Sequence, residues 1–498
     1  VLRRGTPPRA TYLFKHALVQ DTAYESLLRG KRQQLHARIA EVLESRFPER
    51  AEAEPELLAH HFTKAGVHEP AIEYWLRAGR RAMERSADQE AVAHLKKGLA
   101  VLQTLPESIE RDRQELNLQM ALSRALTTTR GWGSEEAMKA YARARELCEL
   151  VGETGQLLYV LWGQRIKHWV DAEYRAALDV VAKIISLAEQ QDDPMELVAA
   201  NLIAGWPYLG LGELATIPSA TDHALKLYDA QKHEWFRFRY GLDLRVTALG
   251  MRGYQQWLCG FPDQAISSCA EAIAWGRNLN HAGSLAWALN WAGAQPAAMR
   301  HDARTAEALA NEVISLPDKG RSPMDLAWGR VFAGWAIGKR GQRKEGVSLL
   351  REGLEYLIAK GGKMLRSVHL TLLAELYIDD GELEKASQWL DEAVHHVERA
   401  EERLWEAEIL RLRGEVLLVR KADHGEQPET CFKQAIDVAQ RLGAKSLELR
   451  ATTSLARMWR SQGKLDEARE ILTPVYDWFT EGFDTADLKD AKGLLTTL

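Results

Sequence analysis

Adjacent pairs such as His60-His61, His395-His396, Glu135-Glu136 and Glu401-Glu402 combine side chains that bind metals or move protons. Neighbouring residues on a helix point about 100° apart, so an adjacent histidine pair does not readily share one ion. No HExxH or Cys/His spacing supports either pair. Carboxylate pairs serve as acid and base when burial shifts them, but both glutamate pairs stand in heavily charged stretches, where a solvated helix face is expected. Cys148, Cys259, Cys269 and Cys431 form no CxxC pair and no disulfide framework, the usage of buried free thiols in a reducing compartment. No GxxxxGK[ST] loop is present to cradle a nucleotide's phosphates. The chain is therefore expected to carry no catalytic residue, no metal and no cofactor of its own.

Tryptophan is the remaining lead, with 16 in 498 residues, and its meaning depends on the elements that position it. A short signature recurs ten times at close to forty-residue intervals. Gly381 is followed by Ala386, Leu390 and Ala393; Gly463 by Ala468, Leu472 and Val475; Gly260 by Ala265, Cys269 and Ala272. Weaker copies begin at Ser86, Trp132, Ala172, Gly212, His301, Gly341 and Asp423. Seven residues before the anchor a small residue recurs (Gly205, Gly253, Ala294, Gly334, Ala374, Ala456), and bulky Tyr208, Tyr377 and Trp459 stand four before it. Small side chains let two antiparallel helices approach closely, and the alanine five after the anchor does the same from the second helix. The pattern resembles the tetratricopeptide repeat, in a unit longer than the usual 34 residues. It predicts an all-α fold: a tetratricopeptide-like α-solenoid, a right-handed superhelix of antiparallel helix pairs. Pro106, Pro194, Pro262, Pro317, Pro323, Pro428 and Pro474 are expected between helices, whereas Pro207 and Pro296 fall inside expected helices and should kink or end them.

If residues ten, six and three before each anchor face the inner side, the middle of the array is aromatic: Trp162, Trp169, Trp206, Tyr254, Trp257, Trp291 and Trp335. Further on the stripe turns polar through Thr371, Glu375, Arg413, Arg420, Thr453, Arg457 and Arg460. An aromatic concave surface suits a small-molecule inducer or a partner protein's anchor. The same rings would also serve to fill a narrow superhelix, and both readings stand on the sequence.

Net charge is −5 with both signs mixed, so no pull toward nucleic acid or anionic membrane is expected. No apolar run of membrane-spanning length and no signal-peptide pattern occur, which implies a cytoplasmic chain. Residues 1–50 are locally basic, with a helical run from Lys31 to Arg46 that places Leu35, Ile39, Val42 and Leu43 on one face. No complete helix-turn-helix accompanies that segment. The chain opens on Val1 and is read as a piece of a longer protein.

Three stretches extend the resemblance. Phe14 to Leu28 (FKHALVQDTAYESLL) resembles the segment that closes the ATPase module of large bacterial signalling regulators. Gly131 to Glu153 resembles an early repeat in the same proteins, and Val475 to Leu495 their C-terminal end. In that family an N-terminal class III adenylate/guanylate cyclase or DNA-binding effector precedes a P-loop STAND/AAA-type ATPase and a tetratricopeptide array. The resemblance implies that residues 1–50 are a helical remnant packed beside an upstream ATPase module, the partner in cis. Residues 51–498 are then an array of about ten units with a C-terminal capping helix. ATP and Mg would belong only to the upstream part. The implied function is a sensor arm; the alternatives are a constitutive protein-protein scaffold, or the arm of an ATPase-type transcriptional activator.

Overall fold

A computed structural model describes residues 2–4, 11–13, 22, 24–85, 87–131, 133–230, 236–237, 240–317, 321–420 and 427–498. The anchors Ser86, Trp132 and Asp423, and most of the stretch from Phe14 to Leu28, lie outside the described residues. Helices dominate; the departure among the described residues is a short antiparallel ribbon, Leu2–Arg4 with Thr11–Leu13. The chain divides into two compact units, Val1–Ala125 with Glu146–Gly152, and Leu126–Arg145 with Glu153–Leu498.

In the first unit the helix Arg29–Arg46 turns His36 and Ala40 inward and packs beside the helix Pro55–Ala65. Leu35, Ile39 and Val42 are consequently 40%, 41% and 36% exposed while Leu43 is half-buried, so most of the apolar face marked by the sequence is turned outward. The following pair, His68–Glu84 and Asp88–Leu102, closes over Trp75, whose ring stacks on His94 at 5.5 Å and whose Nε1 donates to Thr63 Oγ1 at 3.0 Å.

The second unit is built of successive antiparallel pairs: Thr154–Val170 with Tyr174–Gln190, Pro194–Leu211 with Ile217–Leu227, and Leu244–Leu258 with Pro262–Asn278. Pro323–Lys339 pairs with Arg343–Ala359, Arg366–Asp379 with Leu383–Ala400, Glu406–Arg420 with Pro428–Leu442, and Lys445–Ser461 with Leu465–Asp477. The anchor is a backbone device. Ala172, Gly212, Gly260, His301, Gly341, Gly381 and Gly463 all have φ between 58° and 106°, directly after the first helix of their pair. The residue after each anchor donates its N–H to the carbonyl five back, as Glu213 does to Tyr208, Glu382 to Tyr377 and Lys464 to Trp459. This left-handed cap ends the first helix and turns the chain into the second. Glycine dominates because other L-residues there are strained by about 1–2 kcal/mol.

Close approach explains the small residues. A Cβ on Gly334 would lie 2.4 Å from Leu350 N, and one on Gly346 would lie 2.5 Å from Gly334 O, so these helices meet backbone to backbone. Pro194, Pro262, Pro323 and Pro428 occupy first turns, where a missing N–H leaves nothing unpaired. Pro207 lies within Pro194–Leu211, and Pro296 follows a π turn over Ala288–Ala294 that widens the helix ahead of it. Pro474 departs from expectation by lying inside Leu465–Asp477. The carbonyl it leaves unpaired belongs to exposed Glu470, which water can serve.

Within the second unit the array returns on itself. Val170 O accepts from Lys363 N at 2.8 Å, Gly210 O from Leu404 N at 3.2 Å, and Trp257 O from Ser446 Oγ at 2.5 Å. Met299 O accepts from Arg450 Nη2 at 2.6 Å. Each acceptor stands two or three residues before an anchor, at a helix end where carbonyls lose their regular intrahelical donors; Trp257 O accepts from Gly260 N as well. The next winding supplies the donors.

Candidate functional site

The aromatic stripe is carried by the first helices of consecutive pairs, held at fixed spacing by the caps and small residues described above. The structure buries all seven predicted rings, none more than 7% exposed. Four form one cluster. Trp169 lies 6.1 Å from Trp206 and 5.7 Å from Trp291, Trp206 lies 5.6 Å from Trp291, and Tyr254 meets Trp206 edge-on at 5.8 Å. Edge-to-face and tilted pairs at these separations are the favourable arrangements for quadrupolar rings. The other three have separate settings: Trp162 stacks on Tyr240 at 4.2 Å, Trp257 lies 5.9 Å from Trp405, and Trp335 stacks on His301 at 6.1 Å. The rings are packed interior rather than the wall of an open trough.

Trp287 and Trp328 also belong to the cluster, 5.2 Å from Trp206 and 4.9 Å from Trp291. They lie fourteen and thirteen residues before their anchors, beyond the stripe positions. The stripe rule misses Arg165 as well, although a signal exists: it occupies the place, seven before its anchor, where all the other repeats but one (Val416) carry glycine or alanine. Arg165 is 5% exposed, and its guanidinium lies 5.2 Å from the Trp162 ring and 6.0 Å from that of Trp169. Burial alone pulls it down to about 9, and its Nε has no hydrogen-bond partner. Two indole faces stabilise the cation in place of a carboxylate.

Where the stripe turns polar the structure builds a buried ionic network. Glu375 accepts from Trp335 Nε1 at 3.0 Å and lies 3.4 Å from His301 Nε2 and 3.8 Å from Lys339 Nζ. Burial raises its carboxyl, and His301, Lys339 and Trp335 together lower it further than burial raises it. Arg411 grips Glu408 at 2.7 and 3.0 Å, while Arg450 pairs with Asp487 at 2.8 and 2.9 Å and lies 5.1 Å from the Trp257 ring. Ligand atoms of His301, Glu375 and Glu408 lie within 4.8 Å of one another, near enough to surround a cation. Arg411, Arg450 and Lys339 already supply the positive charge those carboxylates need, so the donor set does not suit a metal. His60 and His61 meet His36 in the first unit, with the Nδ1 atoms of His36 and His61 2.7 Å apart.

No family model matches the chain. An uncharacterized protein of Rhizobium meliloti (strain 1021) is 26% identical over 460 residues, 92% of this chain. The chain spans 44% of that relative's length. Among solved structures, the chain is similar to the APC/C hetero-tetramer Cut9-Hcn1 at 12% identity and a TM-score of 0.49, covering 93% of this chain and 87% of that one. It is similar also to a Rap protein complexed with competence and sporulation factor, at 11% identity and a TM-score of 0.38, covering 86% of this chain and 98% of the other. All these scores fall below 0.5, and the architecture rests on the chain's own helix pairs. Among the described residues no helix is long and apolar enough to cross a membrane.

Proposed function

We propose that this chain is the regulatory binding arm of a longer bacterial signalling protein, acting on an upstream ATPase linked to an adenylate/guanylate cyclase. The supporting observation is the return of the array on itself, with helix ends capped by donors from the next winding. In this reading the wound array exchanges with a parted one, and a ligand with unequal affinity for the two shifts the balance. In the parted arrangement the aromatic interior around Trp169, Trp206 and Trp291 becomes accessible, with Arg165 beside it as a charge without an ion-pair partner among the described residues. The inducer or partner anchor suited to that interior has an apolar body and an acidic group. Residues 1–50 belong in this reading to the region that closes the ATPase module, and residues 51–498 to the array.

The experiment uses the full-length parent protein. Hydrogen exchange and small-angle scattering are followed with and without candidate inducers, and nucleotide hydrolysis is read in parallel. Release of winding-contact amides together with a change in hydrolysis supports the sensor. Unchanged profiles with a bound partner protein support the constitutive scaffold, which the burial of all seven rings favours as the second reading.

A further inference from the structure

One helix of the second unit takes its cap from a distant part of the chain. Asp193, Asp243, Asp302 and Ser322 each accept from first-turn N–H groups of the helix that follows them. Phe261, at the same place before Pro262–Asn278, offers no acceptor, and its ring instead meets that of Trp478 at 5.7 Å. Glu481 supplies what Phe261 lacks. Its Oε1 accepts from Asp263 N and Gln264 N, both at 3.0 Å, and its Oε2 from Gln264 Nε2 at 3.0 Å. Those two backbone amides, second and third in the helix, are the ones an N-cap side chain serves. Asp263 answers by accepting from Gly482 N at 2.9 Å. The exchange is reciprocal, as in a capping box, but its halves lie 217 to 219 residues apart.

The fit leaves little latitude. Gly482 has φ 77°, and a Cβ there would run into the Pro262 ring. The anchor Gly260 is covered by the rings of Trp478 and Phe479 and by Lys445. Phe479 is buried in the core of the last helices with Leu472 and Leu488, whereas Trp478 is 40% exposed. The hydrogen bonds of this lap therefore differ in shelter. Those from Ser446 to Trp257 and from Arg450 to Met299 are buried, while the three received by Glu481 are exposed to solvent. Water competes for exposed bonds, and salt screens the attraction between a carboxylate and a helix N-terminus.

We propose that Trp478–Gly482 is a reversible clasp: Glu481, as the borrowed cap of Pro262–Asn278, locks the C-terminal lap, and its release is the step at which that lap starts to part. The buried bonds of Ser446 and Arg450 hold until the clasp is off. The inference rests on the closure of the array, and not on an inducer or an upstream ATPase.

Amide hydrogen exchange on the whole chain reads the clasp at Asp263, Gln264 and Gly482. Glu481→Gln keeps the size of the side chain and loses its charge, and is expected to speed exchange at these amides about tenfold. Gly482→Ala keeps the carboxylate and spoils the approach to Pro262, and is expected to do the same. In both variants Lys363 and Leu404, which serve other winding contacts, are expected to keep their wild-type rates. Raising sodium chloride to about 1 M should reproduce the pattern in the unaltered chain, beyond any change in intrinsic rate. Wild-type exchange at the three amides in either variant, or indifference to salt, overturns the proposal. Equal acceleration at Lys363 and Leu404 overturns it too, since the array would then open only as a whole.

Discussion

Ala172 and His301 do the work of glycine with a side chain attached. Both hold φ at 58° in caps where Gly212, Gly260, Gly341, Gly381 and Gly463 serve elsewhere. Ala172→Gly is therefore expected to raise stability by about 1 kcal/mol, read as a higher urea midpoint with an unchanged slope; a lower midpoint would contradict the strain argument. Gly334 offers the opposite case. A methyl there meets the backbone of Leu350 and Gly346, which has no rotamer to yield, so Gly334→Ala should lose about 1–3 kcal/mol. At Gly381 an added methyl would meet nothing within 4 Å, and the alanine variant should lose only the backbone part, about 1 kcal/mol. These anchors were legible in the sequence because a left-handed cap and a backbone contact each admit so few side chains. Arg165 was legible only as a breach of that rule.

At the scale of the element, amphipathicity announced helices but not which face each would bury. The helix Arg29–Arg46 places Leu35, Ile39 and Val42 on one side, yet it is His36 and Ala40 that pack inward. The contact with Pro55–Ala65 includes a cluster of His36, His60 and His61. Burial first, then His36 and His60, depress His61 to about 4 from an ordinary value of 6.5. His36 is lowered too, by burial, then His60 and Lys64. A base whose folded value lies below its unfolded one gives stability that is complete above about pH 6.5 and is lost progressively as pH falls toward 4. Exchange of the amides in Arg29–Arg46 should accelerate between pH 7 and 5 beyond the intrinsic rate, and His61→Asn should flatten that dependence. An identical profile in the variant would remove the histidines from the account. Pro474 escapes a rule that is blind to solvent: whether a carbonyl freed inside a helix faces water depends on packing that periodicity does not report.

At the largest scale, the pairwise architecture followed from spacing, while the return of the second unit on itself did not. The donors that close it are ordinary backbone N–H groups at Lys363 and Leu404 and side chains such as Ser446, and nothing in their identity marks a contact about 190 residues away in sequence. The aromatic stripe was found by period, but its condition as packed interior depends on that closure. One measurement separates the two pictures. Lys363 and Leu404 lie in connections between helices, where amides of an open array exchange quickly; here they are expected to be protected to the level of the neighbouring helices. Ser446→Ala should lose about 1 kcal/mol and loosen protection near Trp257. Rapid exchange at both amides would show that the windings do not touch in solution.

Because Val170, Gly210 and Trp257 each find a donor nearly the same distance along the chain, the coil keeps count. An ordinary solenoid tolerates gain or loss of a module, since each unit knows only its neighbours. Removing one forty-residue module between Trp257 and Lys363 would instead present the carbonyls of Val170, Gly210 and Trp257 with donors meant for another position. The number of modules in this stretch is fixed by the same hydrogen bonds that close the coil.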